Sequence, residues 1–137
     1  GKYCAACHRV DGVGESLGPE ISDTRTQSAL QLLVAILDPH RSVDPRYVQT
    51  IVRLDDGTVH DGLVVEESSR HIVLRNQHAK SLVIAKDSID SILATGKSLM
   101  PEGLEAQIDE AAMNDLVGYL KNWRYTSSNV PMNATPR

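Results

Sequence analysis

Apolar positions along this chain change rhythm twice. From Gln27 to Leu37, QSALQLLVAIL, the residues Ala29, Leu32, Leu33, Ile36 and Leu37 recur at helical spacing and Asp38-Pro39 closes the run, which predicts a helix. Between residues 48 and 93 the period shortens to that of strands. VQTIVRL, TVHDGLVVEE, HIVLRN, SLVIAK and IDSIL are rich in Val, Ile and Leu and are separated by turn signals, of which Asp56-Gly57 is a strong hairpin turn. Val48, Thr50, Val52 and Leu54 alternate onto one face, enough to start a core. Short strands at this density predict a small antiparallel barrel or a curled sheet, which strand number alone does not separate. From Ile108 to Trp123 the helical period returns, with Ile108, Ala112, Leu116, Tyr119, Leu120 and Trp123 on one face. Asp109 opens an acidic first turn that suits the helix dipole.

Both cysteines of the chain fall in YCAACHRVDG, Tyr3 to Gly12, and a histidine follows the second directly. On a helical turn Cys4 and Cys7 share a face, so each sulfur can add to a haem vinyl group and His8 is carried beneath the iron. Three rivals compete: a CxxC redox pair, half of a zinc site, and two inert core thiols. The redox pair wants a preceding strand in a βαβ setting and zinc wants a second ligand pair, which His60, His71 and His78 do not form. Downstream, GVGESLGPEI (Gly12 to Ile21) reads as an irregular loop, in which the rigid Gly18-Pro19 turn aims its carbonyls in fixed directions. A ligating histidine commonly donates its second ring N–H to such a carbonyl, and that of Pro19 is the candidate. A plain surface loop is the alternative.

With 137 residues the chain suits one domain carrying an insertion. A net charge of −4 and a pI near 5.7 argue against a nucleic-acid partner, and no apolar run reaches membrane-spanning length. The sequence contains no Phe, so Leu, Ile, Val and any flat cofactor must supply the core. Only Gly1 to Tyr3 precede Cys4, so the chain is expected to begin within an element, as a processed precursor or a piece of a longer polypeptide.

CAACH followed by a glycine-rich loop ending in Gly18-Pro19-x-Ile21 resembles the small class I c-type cytochromes, in which a proline carbonyl orients the proximal histidine. The resemblance implies a methionine as sixth ligand, in a loop ahead of the C-terminal helix. GKSLMPEGL offers Met100 before Pro101, in a loop bounded by Gly96 and Gly103. Met113 reads as a space-filling helix residue and Met132 lies in a polar tail, while His40 in LDPHRSVDP is the rival ligand. Without residues 48–93, the His8-to-Met100 separation is similar to that of short bacterial cytochromes. The strand-rich segment itself is similar to Sm-like or SH3-like modules. From Tyr3 to Trp123 the whole arrangement closely resembles a bacterial haem-binding domain found at the C-terminal end of large exported, dehydrogenase-like propeller proteins.

The fold class expected is therefore α+β: a mainly α, cytochrome c-like haem domain built from residues 1–47 and 94–126, an inserted β-barrel-like module over 48–93, and a tail over 127–137. Cys4, Cys7, His8, Pro19, Ile21 and Met100 are the expected cofactor-binding residues, with His8 and Met100 on the iron of one haem c per chain. The function implied is electron transfer, not catalysis, in an exported, periplasmic or extracytoplasmic setting, with a redox protein or a fused dehydrogenase domain as partner. A haem-based ligand sensor or peroxidase-like enzyme with a labile sixth ligand is the alternative. The β module is expected to dock a redox partner or to cover the haem edge.

Overall fold

The computed structural model describes residues 4–10, 12–22 and 24–127, with side chains described as far as Asn122. The expected tail beyond Ser127 and the side chain of Trp123 lie outside the described residues. Two very short strands, β1 (Arg9–Val10) and β2 (Val13–Gly14), pair antiparallel just after His8. They are followed by α1 (Ala29–Leu37). Ser28 caps α1 reciprocally with Gln31: the Ser28 hydroxyl accepts the Gln31 N–H at 3.1 Å and the Gln31 side chain accepts the Ser28 N–H at 2.7 Å. At the other end the Asp38 N–H bonds to the Val34 carbonyl and Pro39 prevents continuation.

A 3-10 turn, Pro45–Tyr47, leads into the strands β3 (Val48–Leu54), β4 (Val59–Glu67), β5 (His71–Arg75), β6 (Ser81–Ala85) and β7 (Ile89–Ser98). They form one antiparallel sheet in the order β6-β5-β4-β3-β7, a meander whose last strand returns to pair with the first. The β3–β4 hairpin closes through Gly57 at a φ of +86° and through the Asp56 carboxylate, which accepts the Thr58 N–H at 2.8 Å. β4 pairs with β3 along its first half and with β5 along its second. The switch falls at Gly62, where a Cβ would stand 2.3 Å from the Arg75 carbonyl oxygen. Only glycine lets the neighbouring backbone approach that closely. β7 runs past residue 93 to Ser98, which pairs with Val48. After the 3-10 turn Leu104–Gln107, the Asp109 carboxylate accepts the Ala112 N–H at the start of α2 (Glu110–Ser127).

Two separate apolar clusters result. Val52, Ile72, Leu74 and Ile84 are buried within the sheet, with Leu54, Val64 and Ile89 packed against them. Thr50 and Val52 of the face read from alternation are buried, and Val48 and Leu54 are half-buried. Leu32 and Ile36 of α1 meet Met113, Val117 and Leu120 of α2 in the second cluster, joined by Ile21, Met100, Ile108 and others at its edge. Among the described residues no helix is long and apolar enough to cross a membrane.

The expectation of a mainly α fold is overturned. Among the described residues there are two α-helices against seven strands, and strand residues outnumber helical ones. The CAACH segment forms a single turn and passes straight into β1, and the Gly12–Ile21 loop, with Gly12 and Gly14 at positive φ, cannot be helical. α1 is held to nine residues by Ser28 and Asp38-Pro39. Alternating Val and Ile residues commit the middle of the chain to one sheet, which is the largest element of the fold rather than an accessory to a helical one.

Candidate functional site

The Cys4 carbonyl accepts the N–H groups of both Cys7 (3.1 Å) and His8 (2.8 Å), which winds Cys4 to His8 into one helical turn. The chain then doubles back. The N–H groups of Leu17 and Gly18 bond to the Cys7 carbonyl at 2.9 and 2.8 Å, and the Ile21 N–H bonds to the Arg9 carbonyl at 3.0 Å. The glycine-rich loop is thereby laid against the CAACH turn, and Leu17 is buried beneath it at 3% exposure.

This folding-back places Pro19 beside His8, whose Nδ1 lies 2.7 Å from the Pro19 carbonyl oxygen. A carbonyl only accepts, so Nδ1 carries the proton and donates, and Nε2 is the nitrogen with a free lone pair. Gly18 makes the approach possible. A Cβ there would stand 2.5 Å from Cε1 and 2.8 Å from Nδ1 of His8, so the imidazole lies flat against glycine backbone that no other residue could offer.

His8 borders a cavity of about 1170 Å³. Cys4, Cys7, Pro19, Ile21 and Met100 line the same cavity, so the residues expected to bind a cofactor, far apart in the chain, come together. Leu32 and Ile36 of α1 and Leu116 and Leu120 of α2 supply apolar wall. The volume lies somewhat above the roughly 300–1,000 Å³ of ordinary small-molecule sites. Tyr47, Val43 and Leu99 also line it and escaped the sequence reading. They lie at the two places where the sheet joins the rest of the chain, and apolar periodicity carries no signal for a junction. Arg46 holds Tyr47 from outside, its guanidinium 5.5 Å from the ring centroid, and is itself paired with Asp44.

The rival candidates are placed elsewhere. Met113 is buried at 8% exposure in the helical cluster and is not among the residues lining the cavity. His40 does not line it either: its Nδ1 accepts the Ser98 N–H at 3.2 Å and its Nε2 faces the Glu102 carboxylate at 3.5 Å. Cys4 and Cys7 are free thiols. Burial, and then the neighbouring Cys4, push the Cys7 thiol above its ordinary pKa. Redox-active CxxC cysteines are shifted the other way, toward thiolate. Among the described residues no group of His, Cys, Asp and Glu side chains is arranged to hold a metal ion between them, so these thiols and His8 do not form a zinc-type cluster.

One arrangement was invisible in the sequence. Ser68 Oγ lies 3.0 Å from His71 Nδ1, and His71 Nε2 lies 3.5 Å from Glu66. The Ser68 oxygen also accepts the N–H groups of Arg70 (3.2 Å) and His71 (3.0 Å), the bonding of a serine that closes a β4–β5 hairpin turn. Compared with models of known protein families and with curated proteins, the chain finds no match in either.

Proposed function

We propose that this chain carries a covalently attached c-type haem and serves in electron transfer, with His8 and Met100 as the axial ligands. The observation that carries the reading is the pairing of His8 with Pro19 at the edge of one cavity that also collects Cys4, Cys7 and Met100. The residues fit such a group in three respects. A cavity large enough for a flat macrocycle is walled by leucine and isoleucine, two thiols stand a helical turn apart at its edge, and an imidazole presents Nε2 with its tautomer already set. When bound, the haem supplies a one-electron couple, whose potential a thioether ligand raises.

The protein's own contribution is positional. Pro19 holds the His8 ring and makes it a stronger donor, Gly18 gives the ring its seat, and α1 and α2 line the cavity with apolar side chains. The raised pKa of Cys7 disfavours its thiolate and with it disulfide exchange. Attachment of this kind is completed outside the bacterial cytoplasm in the cytochromes that the motif resembles, so the reading includes export and a redox protein or fused dehydrogenase domain as donor.

Denaturing the holoprotein in acid and organic solvent tests the claim. The cofactor is expected to stay on the chain, held by thioethers to Cys4 and Cys7, whereas haem extracted intact defeats the reading. Carbon monoxide added to the reduced protein separates a carrier from a ligand sensor: a six-coordinate His/Met site resists it, and rapid stoichiometric binding favours the sensor.

A further inference from the structure

His40 follows α1 by only a few residues, yet its ring reaches across the chain to the segment that bears Met100. The contact has two ends. Nδ1 accepts the backbone N–H of Ser98, the last residue of β7, at 3.2 Å, and Nε2 faces Glu102 Oε1 at 3.5 Å. The ring therefore spans the stretch from residue 98 to residue 102, with Met100 at its middle. The Ser98 side chain continues the connection, its Oγ accepting the Met100 N–H at 3.0 Å. His40, at 20% side-chain exposure, is sheltered enough for these bonds to count.

The bonding fixes the state of the ring. A backbone N–H can bond only to an unprotonated ring nitrogen, so Nδ1 is the acceptor and Nε2 carries the proton toward the Glu102 carboxylate. Ser98 is at the same time paired with Val48 at the base of the sheet. Residue 98 is thus the point where the sheet, the end of α1 and the methionine loop are tied together. The loop beyond it contains Gly103 at a φ of +77°, a position with little conformational restraint of its own.

We infer that His40 is a positioning residue for Met100, acting through Ser98 to hold the thioether at the cavity, an inference that rests on Met100 being the iron ligand. The sequence offered His40 as a competitor for the sixth position, and the geometry makes it the support of the residue it competed with. The imidazole shape matters because a single ring bridges the two sides of the loop. Asparagine at position 40 can still present an oxygen to the Ser98 N–H in place of Nδ1, whereas alanine cannot.

The test compares wild type, His40→Ala and His40→Asn by two readouts. The first is the near-infrared band of sulfur-ligated ferric haem together with the midpoint potential of the holoprotein. The second is amide hydrogen exchange at Ser98 and Met100 in the haem-free chain. His40→Ala is expected to weaken the band, lower the potential and speed exchange at Ser98 about five-fold, the factor that goes with one lost hydrogen bond. His40→Asn is expected to restore the band and most of the exchange protection. A wild-type band that survives His40→Ala unchanged, with unaltered exchange, overturns the positioning role while leaving methionine ligation standing. Loss of the band in both variants also overturns it, since restoring the acceptor then has no effect. A wild-type holoprotein without the band overturns methionine ligation itself and the inference with it.

Discussion

The Nδ1 atom of His8 and the carbonyl oxygen of Pro19 lie 2.7 Å apart, and the residue between Pro19 and the rest of the loop, Gly18, is the surface on which the ring rests. Adding a methyl group there forces the ring to turn away, because a Cβ at 2.5 Å from Cε1 and 2.8 Å from Nδ1 is inside contact distance. Gly18→Ala is expected to break the bond to Pro19, costing about 0.5–1.5 kcal/mol of stability. Nitrogen chemical shifts of His8 in the haem-free protein check it: the wild type should show Nδ1 protonated, and the variant a mixture of tautomers. Identical tautomer populations in the two proteins would show that Gly18 does not seat the ring.

Met100 and Met113 are both expected to matter, in different ways. Met100 lines the cavity from a loop, whereas Met113 is packed among Leu32, Ile36, Val117 and Leu120. Met100→Ala should abolish the near-infrared sulfur band and lower the potential with modest loss of stability. Met113→Ala should keep the band and destabilise the fold by about 2–5 kcal/mol, the range for emptying a buried methionine site. The two variants are compared by absorption spectra and urea titration, and exchange of these outcomes would reverse the ligand assignment.

Asp44 provides a pH prediction. Its pKa is lowered to about 2, first by the side-chain hydrogen bond from Arg46 and then by the Arg46 backbone N–H, although the carboxylate lies at the surface. A free aspartate titrates near ~3.9, so the contribution of this cap to the Pro45–Tyr47 turn is fully present above that pH and is lost as pH falls through about 2. Following the Asp44 carboxyl carbon by NMR should give a midpoint near 2 in the wild type. In Arg46→Ala the midpoint should return toward the ordinary carboxylate range. An unchanged midpoint in that variant would remove Arg46 as the cause.

Which residues meet at the cavity was more legible in this sequence than the balance of its fold. CAACH, Gly18-Pro19 and Met100 are local signals whose residue types and spacing carry their meaning, and the cavity gathers them. Strand alternation likewise placed Thr50 and Val52 in the interior and Asp56-Gly57 at a hairpin. What misled was weight. Expecting a mainly α domain around a haem overweighted the helices, although among the described residues only Ala29–Leu37 and Glu110–Ser127 are α-helical. The end of β7 was missed because Thr95-Gly96-Lys97 has no apolar alternation; its pairing with β3 is dictated by a partner strand distant in sequence. The joint of His40 with Ser98 is likewise a tertiary contact between residues whose local sequence says nothing about each other.

The two apolar clusters predict two stability units. Ile72, at 1% exposure, is enclosed by Val52, Leu74 and Ile84 in the sheet, while Leu32, at 5%, packs in the helical cluster and also walls the cavity. Truncating either to alanine should cost about 2–5 kcal/mol locally. Because the clusters share no member, the cost should be confined: Ile72→Ala should speed hydrogen exchange in β3 and β5 and spare α1 and α2, and Leu32→Ala should do the reverse. Leu32→Ala should also loosen the cavity wall, raising the solvent accessibility of the cavity, because its side chain is wall and core at once. Val48 paired with Ser98 is the base through which the units could couple. Native-state exchange measured residue by residue decides the matter. If each variant accelerates amides in both clusters by the same factor, the sheet and the helices unfold as one body, and the sheet cannot be treated as a separable module.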